Sequence, residues 1–186
     1  MPNFQNKFSV LGGISRALSN RNYRIYWTGQ AVIVQGFWIY KIVGGWLMWE
    51  MTNSSAWLGA LAAGYMLPVL FLGPFGGAVA DRYGYRQVAI AMVSLGAFTA
   101  SITAIVTWTG YMTPLLLVSL SLLQGGLFAF EFPARQSLFP LLVDRKNLAA
   151  AVAVNSTTYH TSGFTGPLIG GILLTLGDTI SGVSAG

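Results

Sequence analysis

The chain has 186 residues, of which 10 are Lys or Arg and 5 are Asp or Glu, while apolar types make up 54%. A charged fraction of 8%, against roughly 25% in soluble domains, excludes a disordered chain and a water-clad globular surface. What is left is a protein embedded in a membrane, with room for at most about six or seven spans of about 20 residues each.

Cysteine is absent, which removes disulfides, thiolate metal sites and cysteine nucleophiles. With a single histidine and no clustered acidic residues, no metal site is expected. No Gly-x-x-x-x-Gly-Lys loop is present, and no nucleophile–base pair stands out. No cofactor is therefore expected, and the chain does not read as an enzyme.

Residues 1–24 form a basic lead-in with Lys7, Arg16, Arg21 and Arg24. Phe8, Leu11 and Leu18 would also allow a short helix lying on the membrane surface. The apolar stretch 8–14 is too short, and too interrupted by Ser9, Gly12 and Gly13, for a secretory signal.

Five long apolar segments follow, at about 25–49, 56–80, 88–108, 114–132 and 148–176. The first contains one charge, Lys41, and the second carries Pro68 and Pro74. Each is continuous and about twice the length of a barrel strand, so helices are expected rather than a β-barrel. The expected architecture is an all-α membrane protein with five transmembrane helices and an outer-side tail at 177–186.

The charges fix an orientation. With the N-terminus in the cytosol, the inner side receives Lys7, Arg16, Arg21, Arg24, Arg82, Arg86, Arg135, Arg145 and Lys146, nine of the ten basic residues. The outer loops 51–55 and 109–113 and the tail receive none. This is the positive-inside pattern, and it removes nucleic acid as the reason for the net charge of +5. Tyr26, Trp27, Trp49, Trp57, Trp108 and Tyr111 lie near span ends, as interfacial aromatics do.

Between the second and third segments the chain reads Gly77-x-x-x-Asp81-Arg82-x-Gly84-x-Arg86. Gly76 and Gly77 would permit close helix approach. Gly84 would permit a tight turn, and Asp81 is placed to meet a helix N-terminus or an arginine. This run resembles motif A of the major facilitator superfamily. Tyr85 stands where that family usually has a basic residue. The resemblance implies that the loop latches the two halves of a transporter on the cytosolic side and gates alternating access.

Two further segments carry the resemblance. Gly166-Pro167-Leu168-Ile169-Gly170-Gly171 is similar to the end of motif C, a helix-bend motif associated with drug–proton antiporters, with Ser162 and Ala153 at earlier glycine positions. Residues 132–156, with Pro133-Ala134-Arg135, resemble the exporter branch that includes enterobactin-type siderophore exporters and macrolide-type efflux permeases. Gln124-Gly125 matches part of motif B, but Ser121 holds its arginine position.

The resemblance covers about 21–176. It implies the N-terminal part of a twelve-helix fold built from inverted three-helix repeats, one helix short of a half. The chain reads as an N-terminal fragment cut at a loop. The missing C-terminal half, membrane lipid, a small-molecule substrate, and protons or another coupling ion would be its partners, in the plasma (inner) membrane.

Ionisable and polar groups inside spans are the candidate cavity residues. Lys41 lies 16 residues into the first span, roughly 24 Å at helical rise. Gln30, Phe37 and Lys41 share a face, with Trp38 beside them. On the fourth segment Gln124, Phe128 and Glu131 share a face, and on the fifth so do Asn155, Tyr159, Ser162 and Gly166. Gln30, Phe37, Trp38, Lys41, Gln124 and Asn155 are the expected cavity lining. Glu131 and His160 are candidates for proton coupling, with a structural Glu131–Arg135 pair one turn apart as the other reading of Glu131. The function expected is export of a drug- or siderophore-like molecule by antiport. The alternative is a truncated, non-transporting membrane protein with a structural or regulatory role.

Overall fold

The computed structural model describes residues 21–181. The basic residues Lys7 and Arg16 and the last part of the expected tail lie outside them. Five helices make up almost all of the described chain: α1 (Arg21–Thr52), α2 (Ser55–Tyr83), α3 (Tyr85–Trp108), α4 (Pro114–Leu138) and α5 (Leu148–Ser181). Two short 3-10 turns, Phe139–Leu142 and Arg145–Asn147, join α4 to α5. The all-helical architecture is the one expected. Helices are the solution for continuous apolar runs, because they satisfy every backbone group within the segment.

The helices run past the expected spans at most ends. α1 begins by Arg21, inside the expected lead-in, and α5 continues through Ser181, past Gly177. Apolar length sets a span, whereas a helix ends where its backbone groups find a cap. At the end of α2, Gly84 adopts φ +90° and its N–H donates to Ala80 O at 2.9 Å. At the end of α3, Gly110 has φ +75° and the Tyr111 N–H reaches back to Val106 O at 3.2 Å. Pro114 opens α4, where its missing N–H costs nothing. Pro68, Pro74, Pro133 and Pro167 lie inside helices, as is tolerated where neighbouring helices re-satisfy the freed backbone groups. In α3 the hydroxyls of Thr99, Thr103 and Thr107 donate to carbonyls one turn back, so these polar groups need no water.

Among the described residues, α1, α2, α3 and α4 are long and apolar enough to cross a membrane. The first half of α5 is rich in Asn, Ser and Thr, with His160 among them. Large apolar side chains such as Val32, Leu70, Phe98, Leu115 and Phe164 are more than 60% exposed. Water would not tolerate such a surface, and lipid would. The chain is an integral membrane protein.

The chain divides into two compact units. Unit I, residues 44–138, holds α2, α3 and α4. Its axis is α4, packed at length against α2 on one side and α3 on the other, while α2 and α3 scarcely touch. Ser121 donates to Leu61 O at 3.1 Å, and further along Gly76 lies against Ala129 and Pro133, so α2 and α4 run parallel. Gly96 meets Gln124, and Val88 and Ala89 cluster with Ala134, so α3 runs antiparallel to α4. This order brings Arg82, Arg86 and Arg135 to one end.

Unit II, within the described residues, holds 21–43 of α1, the two 3-10 turns and α5. Here α1 and α5 also run parallel. The contacts progress from Tyr23 with Ala151, through Trp27 with Thr158 and Gln35 with Thr165, to Ile42 with Gly170. Buried Tyr23 and Phe139, with Ala151, anchor the start of the pair.

Candidate functional site

In unit I the motif turn is built as its glycines require. Gly84 sits between α2 and α3 with a backbone that other residues rarely adopt. The neighbouring glycines differ in use. A Cβ at Gly76 would overlap the Ala129 carbonyl and meet the Pro133 ring, whereas one at Gly77 would meet nothing within 4 Å. Gly76 is therefore the glycine that lets α2 approach α4, and Gly77 points into open space. A second close approach lies deeper, where a Cβ on Gly125 would overlap the Tyr65 carbonyl.

Asp81 was expected to meet a helix N-terminus or an arginine. Its Oδ1 instead accepts a hydrogen bond from the Tyr85 hydroxyl at 2.6 Å. The residue that departs from the motif is thus the one that holds its carboxylate across the Gly84 turn. Arg82 and Arg86 are exposed. The Arg82 guanidinium lies 5.6 Å from the centre of the Tyr83 ring, within cation–π range.

Gln124 is half-buried, and its Nε2 donates to Gly96 O at 3.0 Å. Its amide is thus tied to the backbone of α3. Glu131 and Arg135 are both buried and form a 3.0 Å ion pair one turn apart. The pair meets ion-pair distance without hydrogen-bond alignment.

In unit II the candidates gather around Trp38. Lys41 Nζ lies 5.3 Å from the centre of the Trp38 ring. Phe37 and Tyr159 meet that ring edge-on at 5.6 and 5.8 Å between centroids. The His160 ring stands edge-on to Tyr159 at 5.9 Å and is exposed. Asn155 is half-buried. Gln30 is 6% exposed, and its Oε1 has no hydrogen-bond partner among the described residues.

The Gly166 motif serves α1 directly. A Cβ on Gly166 would overlap Trp38 Cβ, one on Gly163 would come within 3.3 Å of the indole, and one on Gly170 would touch Ile42 at 3.6 Å. Gly171 has open space, and Pro167 lies within an unbroken helix. Gly163 was not singled out from the sequence. Its only signal was its spacing of three before Gly166, legible once Trp38 is known to lie opposite.

Among the described residues no group of three or more His, Asp or Glu side chains could hold a metal ion.

The chain is similar to the staphyloferrin A transporter of Staphylococcus aureus, 25% identical over 81% of this chain and 38% of that protein. It is also similar to the probable anion transporter 2, chloroplastic, of Oryza sativa subsp. japonica, 26% identical over 58% of this chain and 19% of that protein. The chain therefore spans well under half the length of these curated relatives. No solved structure matches it significantly. The transmembrane secretion effector family of the major facilitator superfamily matches residues 14–181, nearly the whole chain, and the protein belongs to that family of membrane transporters.

Proposed function

We propose that this chain forms the N-terminal part of a secondary transporter that exports a small, drug- or siderophore-like molecule across the plasma (inner) membrane by proton antiport. The observation that carries the reading is Lys41, a cation within a span-length helix, set over the Trp38 ring. Among the described residues it has no carboxylate within ion-pair distance. An intramembrane cation of this kind marks a substrate path, and its charge favours an anionic or amphipathic cargo. The names of the two relatives, one a staphyloferrin A transporter and one a probable anion transporter, point the same way.

In this reading α5 is the fifth span and the N-terminus is cytosolic, as the basic residues indicate. Gln30, Phe37, Trp38, Lys41 and Asn155 line the path. The turn at Gly77, Asp81, Arg82, Gly84 and Arg86 gates it against a C-terminal half, which the relatives' greater length accommodates. Gly166, Pro167, Gly170 and Gly171 let the fifth helix pack and bend. Glu131 or His160 carries the coupling proton.

Efflux from cells or inverted vesicles holding the full-length protein tests this. Proton-gradient-dependent export that is lost in Asp81→Ala and Lys41→Met at normal expression is the expected result. Export that persists unchanged in both variants refutes the assigned roles.

A further inference from the structure

Unit I carries a groove of about 820 Å³ between α2, α3 and α4. It exists because α2 and α3 both pack on α4 and scarcely on each other. Its walls include Leu67, Phe71, Met92 and Leu122, and its two polar residues, Tyr83 and Gln87, both stand at one end. That end is the basic one, where Arg82 lies over the Tyr83 ring and Arg86 immediately precedes Gln87. Both arginines are exposed, and neither has a carboxylate within ion-pair distance among the described residues. The nearby Asp81 carboxylate accepts from Tyr85 instead.

We propose that this groove holds an acyl chain of one anionic phospholipid, with its phosphate on Arg82 and Arg86.

The groove runs inward along the helices from the basic end. Along α2 the lining runs from Tyr83 to Leu67, 16 residues or about 24 Å at helical rise. Along α4 it runs from Phe130 to Leu122, 8 residues or about 12 Å. Half of a hydrocarbon core is about 15 Å; the α4 wall is shorter than that and the α2 wall is longer, so the groove is long enough to take an acyl chain that enters at the basic end. A chain of methylenes needs no polar partner, and none is offered beyond the mouth. At the mouth, two exposed guanidiniums complement a phosphate in charge and in fork geometry.

Native mass spectrometry of the full chain, released from detergent containing equal phosphatidylglycerol and phosphatidylcholine with identical acyl chains, tests the site. About fivefold preference for phosphatidylglycerol is expected per engaged arginine. Arg82→Gln/Arg86→Gln brings the ratio to near parity. Ala91→Phe, which fills the groove, lowers retention of both lipids while leaving the arginines in place. Because both arginines are exposed, their glutamine variants keep the packing, and the two single variants are read alongside the double. Equal retention of the two lipids by the unaltered chain overturns the proposal. So does a preference that survives the double variant, undiminished lipid in Ala91→Phe, displacement of the lipid by inorganic phosphate alone, or a lipid-free dimer. The readout is independent of transport.

Discussion

The Tyr85 hydroxyl donates to Asp81 Oδ1 at 2.6 Å across the turn made by Gly84. The bond ties the last turn of α2 to the first residue of α3, and it occupies the acidic group of that turn. Tyr85→Phe removes it without changing the ring. The bond is exposed, so the unfolding midpoint is expected to stay where it is. If the turn gates, transport by the full-length protein falls in Tyr85→Phe, and Tyr85→Arg, which supplies the basic residue usual in the family, retains it. Equal rates in Tyr85→Phe and the parent would mean that the bond plays no part in gating.

The two adjacent glycines, Gly76 and Gly77, give an internal control. Gly76→Ala drives a methyl into the Ala129 carbonyl, as Gly125→Ala does into that of Tyr65. Backbone cannot yield as a flexible side chain would, so each is expected to cost about 1–3 kcal/mol. Gly77→Ala meets nothing and is expected to change stability by less than about 1 kcal/mol, with any gain coming from helix propensity. Unfolding of the purified chain in mixed micelles measures all three. A Gly77→Ala cost equal to that of Gly76→Ala would contradict the assignment of faces.

The helices and the turn at Gly84 were legible in the sequence because both rest on local chemistry: apolar length, and a backbone that glycine alone adopts readily. The faces were not. In lipid, the side of a helix that meets another helix is no more apolar than the side that meets the acyl chains, so periodicity carries little contrast. Gly76 and Gly77 therefore looked equivalent. Gln124 shares a face with Phe128 and Glu131, yet its amide is spent on Gly96 O. Tyr85 was invisible for another reason. Read against a motif it is a departure, and its role emerges only when the hydroxyl is seen to reach Asp81.

Glu131 and Arg135 make a buried pair one turn apart on α4, and removing one partner leaves the other buried and uncompensated. Glu131→Gln and Arg135→Gln are each expected to cost about 3 kcal/mol or more, and Glu131→Met/Arg135→Leu to recover most of the loss. A double-mutant cycle in micelles measures the coupling. Transport separates the two readings of Glu131. If it carries the coupling proton, the Met/Leu pair is stable but no longer driven by a proton gradient. If it is structural, the stable pair transports normally.

Lys41 and Trp38 offer the sharpest separation of stability from recognition. The ammonium is exposed and 5.3 Å from the ring centre, where such a contact is worth about 0.5–1 kcal/mol. Lys41→Met is thus expected to fold nearly as well as the parent. Trp38→Ala is different, because the indole also packs against Gly163 and Tyr159. Truncating so large a side chain at a half-buried position is expected to cost roughly 2 kcal/mol, below the 3–5 of a fully buried aromatic. For an anionic substrate, Lys41→Met raises KM or abolishes efflux and Lys41→Arg preserves it, whereas for a neutral analogue of the same size all three proteins transport alike. Loss of transport for both substrates in Lys41→Met would place the lysine in the conformational cycle, and loss for neither would remove it from the substrate path.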